Sequence, residues 1–352
     1  VRLINVNAIR EGDIIARDII SYEGGILLTR SSKFKNAFRQ KLLERNIYEV
    51  YIDDELSQGI SPQDIINPQI RRQINQDIKT EFEKIKHTLD INVEGISRIT
   101  TTLFEELSKK EIVCDVMDLK MNDDYTYQHC IGVAILTTIV CNKMGIRKDH
   151  AHKIVMGALM HDIGKIIIPK NTLNKPEKLT QEEYELLKTH VEIGYRIVEK
   201  NSSVSPITKL AVLCHHERED GSGYPLGKGD ELHIGAKIVG VCDVFHALMS
   251  NRPYRQALSV KEVIAIAQME KINVPIRQVV ESILAFYPVG STVLLSNGDI
   301  GIVEKNFVQD VARPLVKVVY NVNTHQKHEY KLNLQERLDV CVAEKIPDIP
   351  HS

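Results

Sequence analysis

The run His161-Asp162-Ile163-Gly164-Lys165 constrains this chain more than any other stretch, and it is read together with His215-His216-Glu217-Arg218-Glu219-Asp220-Gly221-Ser222-Gly223-Tyr224-Pro225. Apolar flanks, Gly157-Ala158-Leu159-Met160 and Ile166-Ile167-Ile168, predict that the first run is buried. An adjacent imidazole and carboxylate, followed later by two adjacent imidazoles, makes a poor core, because buried polar groups are costly unless paired or bound to metal. The same residues are well suited to holding two divalent metals a few ångströms apart. Imidazole and carboxylate without thiolate favour iron, manganese or zinc with open catalytic positions over a closed structural zinc. Such a pair can bind a phosphate oxygen and bring the pKa of a bridging water into the neutral range. The expected chemistry is metal-assisted hydrolysis of a phosphate ester.

In a helix, residues three and four apart share a face, so Lys165 is expected beside both His161 and Asp162, with Gly164 leaving room for close approach. Its ammonium would steady negative charge on a scissile phosphate or a leaving oxygen. His215 and His216 diverge by about 100° on a helix and suit two neighbouring metals better than one. The alternative is one ligand beside one core hydrogen bonder. His190, on the amphipathic helix after Pro176, and His129, at the start of the buried run Ile131 to Val140, each read alone as satisfied core histidines. Cys130, Cys214 and Cys242 adjoin these residues but read as small buried fillers, not ligands. None of the six cysteines forms a C-x-x-C, so no disulfide framework is expected.

A chain of 352 residues is two or three domains' worth, at about 100–200 residues each. Four segments are expected. Residues 1–60 form a small mixed α/β unit, with short strands near Leu3–Val6, Asp13–Ala16, Gly25–Leu28 and Ile47–Ile52 and a helix over Phe34–Asn46. Residues 61–122 hold a linker and a helical segment whose stripe Ile74, Ile78, Phe82, Ile85 and Leu89 packs on its own domain or pairs two copies through the 70–110 helix. Residues 123–286 are helical throughout, with candidates at Tyr127–Met144, Lys148–Met160, Gln181–Lys200, Ser205–His216, Gly235–Met249 and Ser259–Gln268. Residues 287–352 return to β-like runs, with Asn297-Gly298 as a hairpin turn. The formal charge of −2 offers no basic face for duplex nucleic acid but is compatible with a small anionic ligand. The longest apolar run, Ile131–Cys141, is too short to cross a membrane. The first residues lack a signal-peptide pattern, so a cytoplasmic location is expected.

From about His129 to Arg255 the chain resembles the HD-GYP subgroup of HD-domain phosphohydrolases, which cleave cyclic di-GMP. The resemblance rests on Tyr125-x-x-x-His129, His161-Asp162-Ile163-Gly164-Lys165, His190-x-x-x-Gly194, His215-His216-Glu217-x-x-Asp220-Gly221-x-Gly223-Tyr224-Pro225, Asp243 and Arg252-Pro253-Tyr254-Arg255. It implies a mainly α fold: an all-helical HD-type core carrying the small N-terminal α/β unit and the C-terminal β appendage. It makes His129, His161, Asp162, His190, His215, His216 and Asp243 the metal ligands, with Asp162 bridging two metals. Lys165 would contact the scissile phosphate, and the Arg252 and Arg255 forks would hold the substrate's phosphates. Tyr224 sits in a loop read mainly as a turn that also shapes the substrate pocket.

Two departures matter. Tyr125 stands where some members carry a third-metal glutamate, so two metals are expected, although Asp123 or Asp124 could compensate. His246 stands where the family commonly has Asp, placing an imidazole toward the substrate or Arg252, or as an extra ligand. The implied activity is hydrolysis of cyclic di-GMP to pGpG, and to GMP by a second cut, through a hydroxide bridging the metals. The alternatives are a phosphodiesterase for another cyclic dinucleotide such as cyclic GMP-AMP, or a weakly active cyclic-dinucleotide receptor. The resemblance favours iron or manganese, and the ligand set also tolerates zinc. The terminal units are expected to serve regulation, dimerisation or binding of signalling proteins.

Overall fold

The computed structural model describes residues 1–20, 26–108, 112–115, 126–173, 175, 177–250 and 258–349. The molecule is mainly α-helical with a β-containing unit toward each end. In the N-terminal unit, β1 (Arg2–Asn5) and β2 (Ile14–Ile15) flank β5 (Glu49–Asp53) antiparallel, while β3 (Ile19–Ile20) pairs with β4 (Ile26–Leu28). The helix α1 (Asn36–Leu43) contributes Leu42 to a small core around Val6, Ile9, Phe34 and Ile52.

Two helices follow, α2 (Pro68–Thr88) and α3 (Val93–Leu107), where one segment was expected. Leu89 takes a left-handed conformation (φ 52°), and the Asn92 side chain accepts from Gly95 N to start the second helix. Four residues of the expected stripe, Ile74, Ile78, Phe82 and Ile85, are buried in the same core as the helices that follow, while the fifth, Leu89, stays exposed.

The centre of the molecule is α4 (Thr126–Lys143), buried continuously from Cys130 to Cys141. A helix apolar on all sides belongs inside a bundle. Around it lie α5 (Lys148–Met160), a 3-10 turn over Ile163–Ile167, α6 (Lys170–Leu173), α7 (Gln181–Lys188), α8 (His190–Glu199), α9 (Pro206–Cys214), α10 (Ile234–Met249), α11 (Val260–Met269) and α12 (Val274–Ile283). The expected helix over 181–200 is two helices meeting at Thr189. The short α12, rich in β-branched residues and capped by Asn273, lies in the stretch expected to be helical but is not among the helix candidates named from the sequence.

The C-terminal unit is one antiparallel sheet in the order β10-β6-β7-β8-β9: β6 (Thr292–Leu295), β7 (Asp299–Lys305), β8 (Leu315–Asn321), β9 (Gln326–Asn333) and β10 (Val342–Lys345). The Asn297-Gly298 turn joins β6 to β7, with Gly298 at φ 88°. Only β9 and β10 were not anticipated. Six consecutive residues of β9 are exposed, so it carries no alternation to read. The two terminal units touch: Leu3 N donates to Gly290 O at 2.8 Å, and Arg2 pairs with both Asp54 and Asp348. Among the described residues, no helix is long and apolar enough to cross a membrane.

Candidate metal centre

Three of the expected ligands share one local device. His161 caps α5, His190 follows the end of α7 by one residue after Thr189, and His215 caps α9. The last carbonyls of a helix have no intrahelical donor. Each imidazole donates its Nδ1–H to one of them, three residues back: His161 to Ala158 O at 2.8 Å, His190 to Leu187 O at 2.7 Å and His215 to Val212 O at 2.9 Å. That bond fixes the tautomer and leaves Nε2 with its lone pair facing inward. The three imidazoles thus follow the C-termini of α5, α7 and α9, although His190 is also the first residue of α8.

Two carboxylates lie between the imidazoles. Asp162 Oδ1 faces His190 Nε2 at 3.2 Å and His215 Nε2 at 3.8 Å, while Oδ2 faces His161 Nε2 at 3.5 Å and His129 Nε2 at 3.8 Å. Asp243 repeats the pattern: Oδ1 lies 2.8 Å from His129 Nε2 and 3.8 Å from His161 Nε2, and Oδ2 lies 3.8 Å from His216 Nδ1. The seven side chains form two adjoining groups, Asp162, His190, His215 and His216, and His129, His161 and Asp243, with ligand atoms within 4.8 Å of one another in each. Lys165 Nζ sits 2.6 Å from Asp162 Oδ2. It reaches there from the 3-10 turn: α5 ends at Met160 as expected, and the α-helical spacing expected for 161–165 is replaced by that tighter turn.

Glycines set the closeness of these elements. A Cβ on Gly164 would stand 1.9 Å from His190 O, and one on Gly240 would stand 2.5 Å from His215 O. The 3-10 turn and α10 can approach the ligand-bearing segments only without side chains at those points. The loop after His216 is held by Glu217, whose buried carboxylate accepts from Leu226 N, Gly227 N and Lys228 N at 2.5, 3.1 and 3.2 Å. This places Tyr224 on His216, with ring centroids 4.8 Å apart and planes 28° apart.

The protonation states suit metal ligation, which needs neutral imidazoles and ionised carboxylates. Burial pushes the His161 imidazole down, takes His216 to about 3, and with His216 and His161 nearby holds His215 well below its usual range. Burial alone would raise the Asp162 and Asp243 carboxyls. Lys165, His161 and His190 outweigh it at Asp162, and His129, His161 and His216 at Asp243, so both lie well below the carboxylate range. Burial alone would also lower Lys165, but Asp162 and Asp243 raise it and keep it charged. The neighbouring thiols go the other way: burial raises Cys130 and Cys242 and takes Cys214 to about 11. These cysteines stay protonated and serve as packing. A divalent metal fits this cluster, since His161 Nε2 is fully buried and has no hydrogen-bond partner.

All seven expected ligands and Lys165 therefore come together, and Tyr224 lies at their edge. His246 is 1% exposed, and its Nδ1 lies 2.9 Å from His129 Nδ1. Tyr125, Asp123, Asp124, Arg252 and Arg255 lie outside the described residues. Three further neighbours have no role that the sequence motifs assign. Glu217 anchors the loop, and Lys188 Nζ lies over the rings of Tyr184 and Tyr224 at 5.4 and 5.7 Å. Glu217 could have been suspected from its place beside two ligands. Nothing in the spacing marks Tyr184 or Lys188.

Residues 111–273 match the HD domain family. The chain is 34% identical over 212 residues to a cyclic di-GMP phosphodiesterase of Pseudomonas aeruginosa, covering 58% of this chain and 50% of that protein. It is 33% identical over 193 residues to a 3'3'-cGAMP-specific phosphodiesterase of Vibrio cholerae, covering 51% of this chain and 43% of the relative. The chain thus spans about half the length of these curated relatives. Among solved structures, an HDG"Y"P protein from Bdellovibrio bacteriovorus matches with a TM-score of 0.52 and 19% identity, covering 80% of this chain and 98% of the other. At that identity the likeness speaks for the fold alone.

Proposed function

We propose that this chain, whose residues 111–273 match the HD domain family, is a metal-dependent phosphodiesterase of the HD-GYP kind that opens cyclic di-GMP to pGpG. The observation that carries the reading is the pair of adjoining His/Asp groups with Lys165 on their shared carboxylate. One ion would be held by Asp162, His190, His215 and His216, and the other by His129, His161 and Asp243. Asp162 and Asp243 each turn one oxygen toward either group, so both could be shared between the ions. Two bound divalent ions, iron or manganese on this reading, would supply charge stabilisation at the phosphate oxygens and activate water for in-line attack.

The chain's own residues do the rest. Lys165, raised and therefore charged, offsets the charge that grows on a non-bridging phosphate oxygen and does not act as a proton donor. The Asp162 contact aims that ammonium at the centre. Tyr224, its hydroxyl kept neutral by burial, lines the approach and packs His216 in place. Arg252 and Arg255 are proposed to grip the substrate's phosphates.

The test is chromatographic product analysis after anaerobic reconstitution with iron or manganese. Appearance of pGpG or GMP from cyclic di-GMP, absent from the His161→Ala/Asp162→Ala double variant, supports the proposal. Equal turnover by the double variant would sink it. A second reading, preference for 3'3'-cGAMP, is favoured by the match to the Vibrio cholerae relative and is decided by presenting both nucleotides in competition.

A further inference from the structure

The imidazoles of the centre are oriented by two different devices. His161, His190 and His215 use a backbone carbonyl at a helix end. His129 cannot, because it lies within α4, where the carbonyl three residues back is engaged by the helix's own N–H groups. Its Nδ1 faces instead the Nδ1 of His246, 2.9 Å away on α10. Two imidazole nitrogens at that distance share a single proton, so one ring donates and the other accepts. For His129 Nε2 to offer its lone pair inward, the proton must sit on its Nδ1 and His246 must accept it.

We propose that His246 is a positioning residue that does for His129 what backbone carbonyls do for the other three imidazoles. With an ion bound it receives the Nδ1–H of His129 and holds that ring with Nε2 beside Asp243 Oδ1; the two atoms lie 2.8 Å apart, and without the ion Nε2 donates to that carboxylate instead. Three further observations carry this. His246 is buried to 1% exposure, which places it behind the ligand. A Cβ on Gly132, one turn along α4 from His129, would fall 1.9 Å from His246 Nε2, so the helix is open where the second ring lies. Ser250 Oγ, one turn along α10, lies 2.8 Å from His246 O and 3.4 Å from its Nδ1. The inference rests on the reading of His129 as a metal ligand.

The experiment compares wild type with His246→Leu, which removes the acceptor, and His246→Asn, whose Oδ1 can replace it. Manganese stoichiometry and affinity are measured by chelator competition, and the melting of the metal-free proteins is recorded alongside. Wild type should bind two ions per chain. His246→Leu should weaken one of them by about 10–100-fold, with His246→Asn within about threefold of wild type. Wild-type affinity at both sites in His246→Leu overturns the inference. So does a folded His246→Asn as weak as the leucine variant, since the imidazole would then act as more than an acceptor. If the leucine variant does not fold, the asparagine variant decides alone: two tightly held ions support the proposal, and loss of one overturns it. A wild type with no second ion would refute the reading of the centre itself, a result distinguishable from failure of the His246 role.

Discussion

Gly164→Ala tests whether the centre is set by the close approach of two backbone segments. The added Cβ would meet His190 O at 1.9 Å, Gly194 N at 2.7 Å and His190 C at 2.8 Å. All three are backbone atoms, so no side chain can swing aside. Restoring even a 3.0 Å contact requires the 3-10 turn and α8 to part by about 1.1 Å. That opens the Asp162 Oδ1 to His190 Nε2 distance from 3.2 Å to beyond 4 Å, whereas such sites tolerate displacements of about 0.5 Å. Overpacking of this kind costs about 1–3 kcal/mol, or about 1–4 °C of melting temperature for a cooperative chain of this size. Calorimetry of the metal-free variant should show that drop, and chelator competition should show weakened binding of at least one ion. Gly145→Ala is the control. Nothing lies within 4 Å of its Cβ, so only the left-handed conformation (φ 67°) is penalised, at about 1–2 kcal/mol, and both ions should stay bound. If Gly164→Ala melts like wild type and keeps both ions at full affinity, the close approach does not position Asp162, and the argument fails.

Lys165→Met should lower kcat by about 10²–10³-fold while leaving two manganese ions bound, and loss of metal instead would make the lysine a structural element of the centre. Glu217→Ala strips the acceptor from three backbone N–H groups; a loss of about 1–3 kcal/mol is expected, with faster hydrogen exchange confined to the amides of 226–228. The pH dependence follows from the depressed imidazoles. His161, His215 and His216 stay neutral when folded but titrate near 6.5 when unfolded, so the unfolded chain binds more protons below that pH. Melting of the metal-free protein should therefore fall between about pH 7 and 5, and a rise would show that the imidazoles are not held neutral.

The elements that periodicity carries were legible. The helices α4, α5, α9 and α10 fall within a few residues of expectation because each turns a continuous apolar surface to one core. Breaks were harder. Thr189 divides α7 from α8 with no glycine or proline to announce it, and Leu89 ends α2 in a conformation that sequence gives little reason to expect. β9 was illegible for the opposite reason: its exposed residues follow no pattern because only one of its eight side chains is buried.

At the centre, His161, Asp162, His215 and His216 could be read from adjacency in a buried setting, whereas His129, His190 and Asp243 came only with the family resemblance. Their supports could be read only where they are local. A carbonyl three residues back is implied by any histidine that ends a helix, so the orientation of His161, His190 and His215 follows from where α5, α7 and α9 stop. His129 begins a long buried run, and its partner had to come from another helix. The sequence does contain both halves of that contact, Gly132 one turn past the ligand and His246 one turn past Asp243, yet nothing in one dimension links them. The link appears only when α4 and α10 pack side by side, which brings His246 against Gly132 and beside His129.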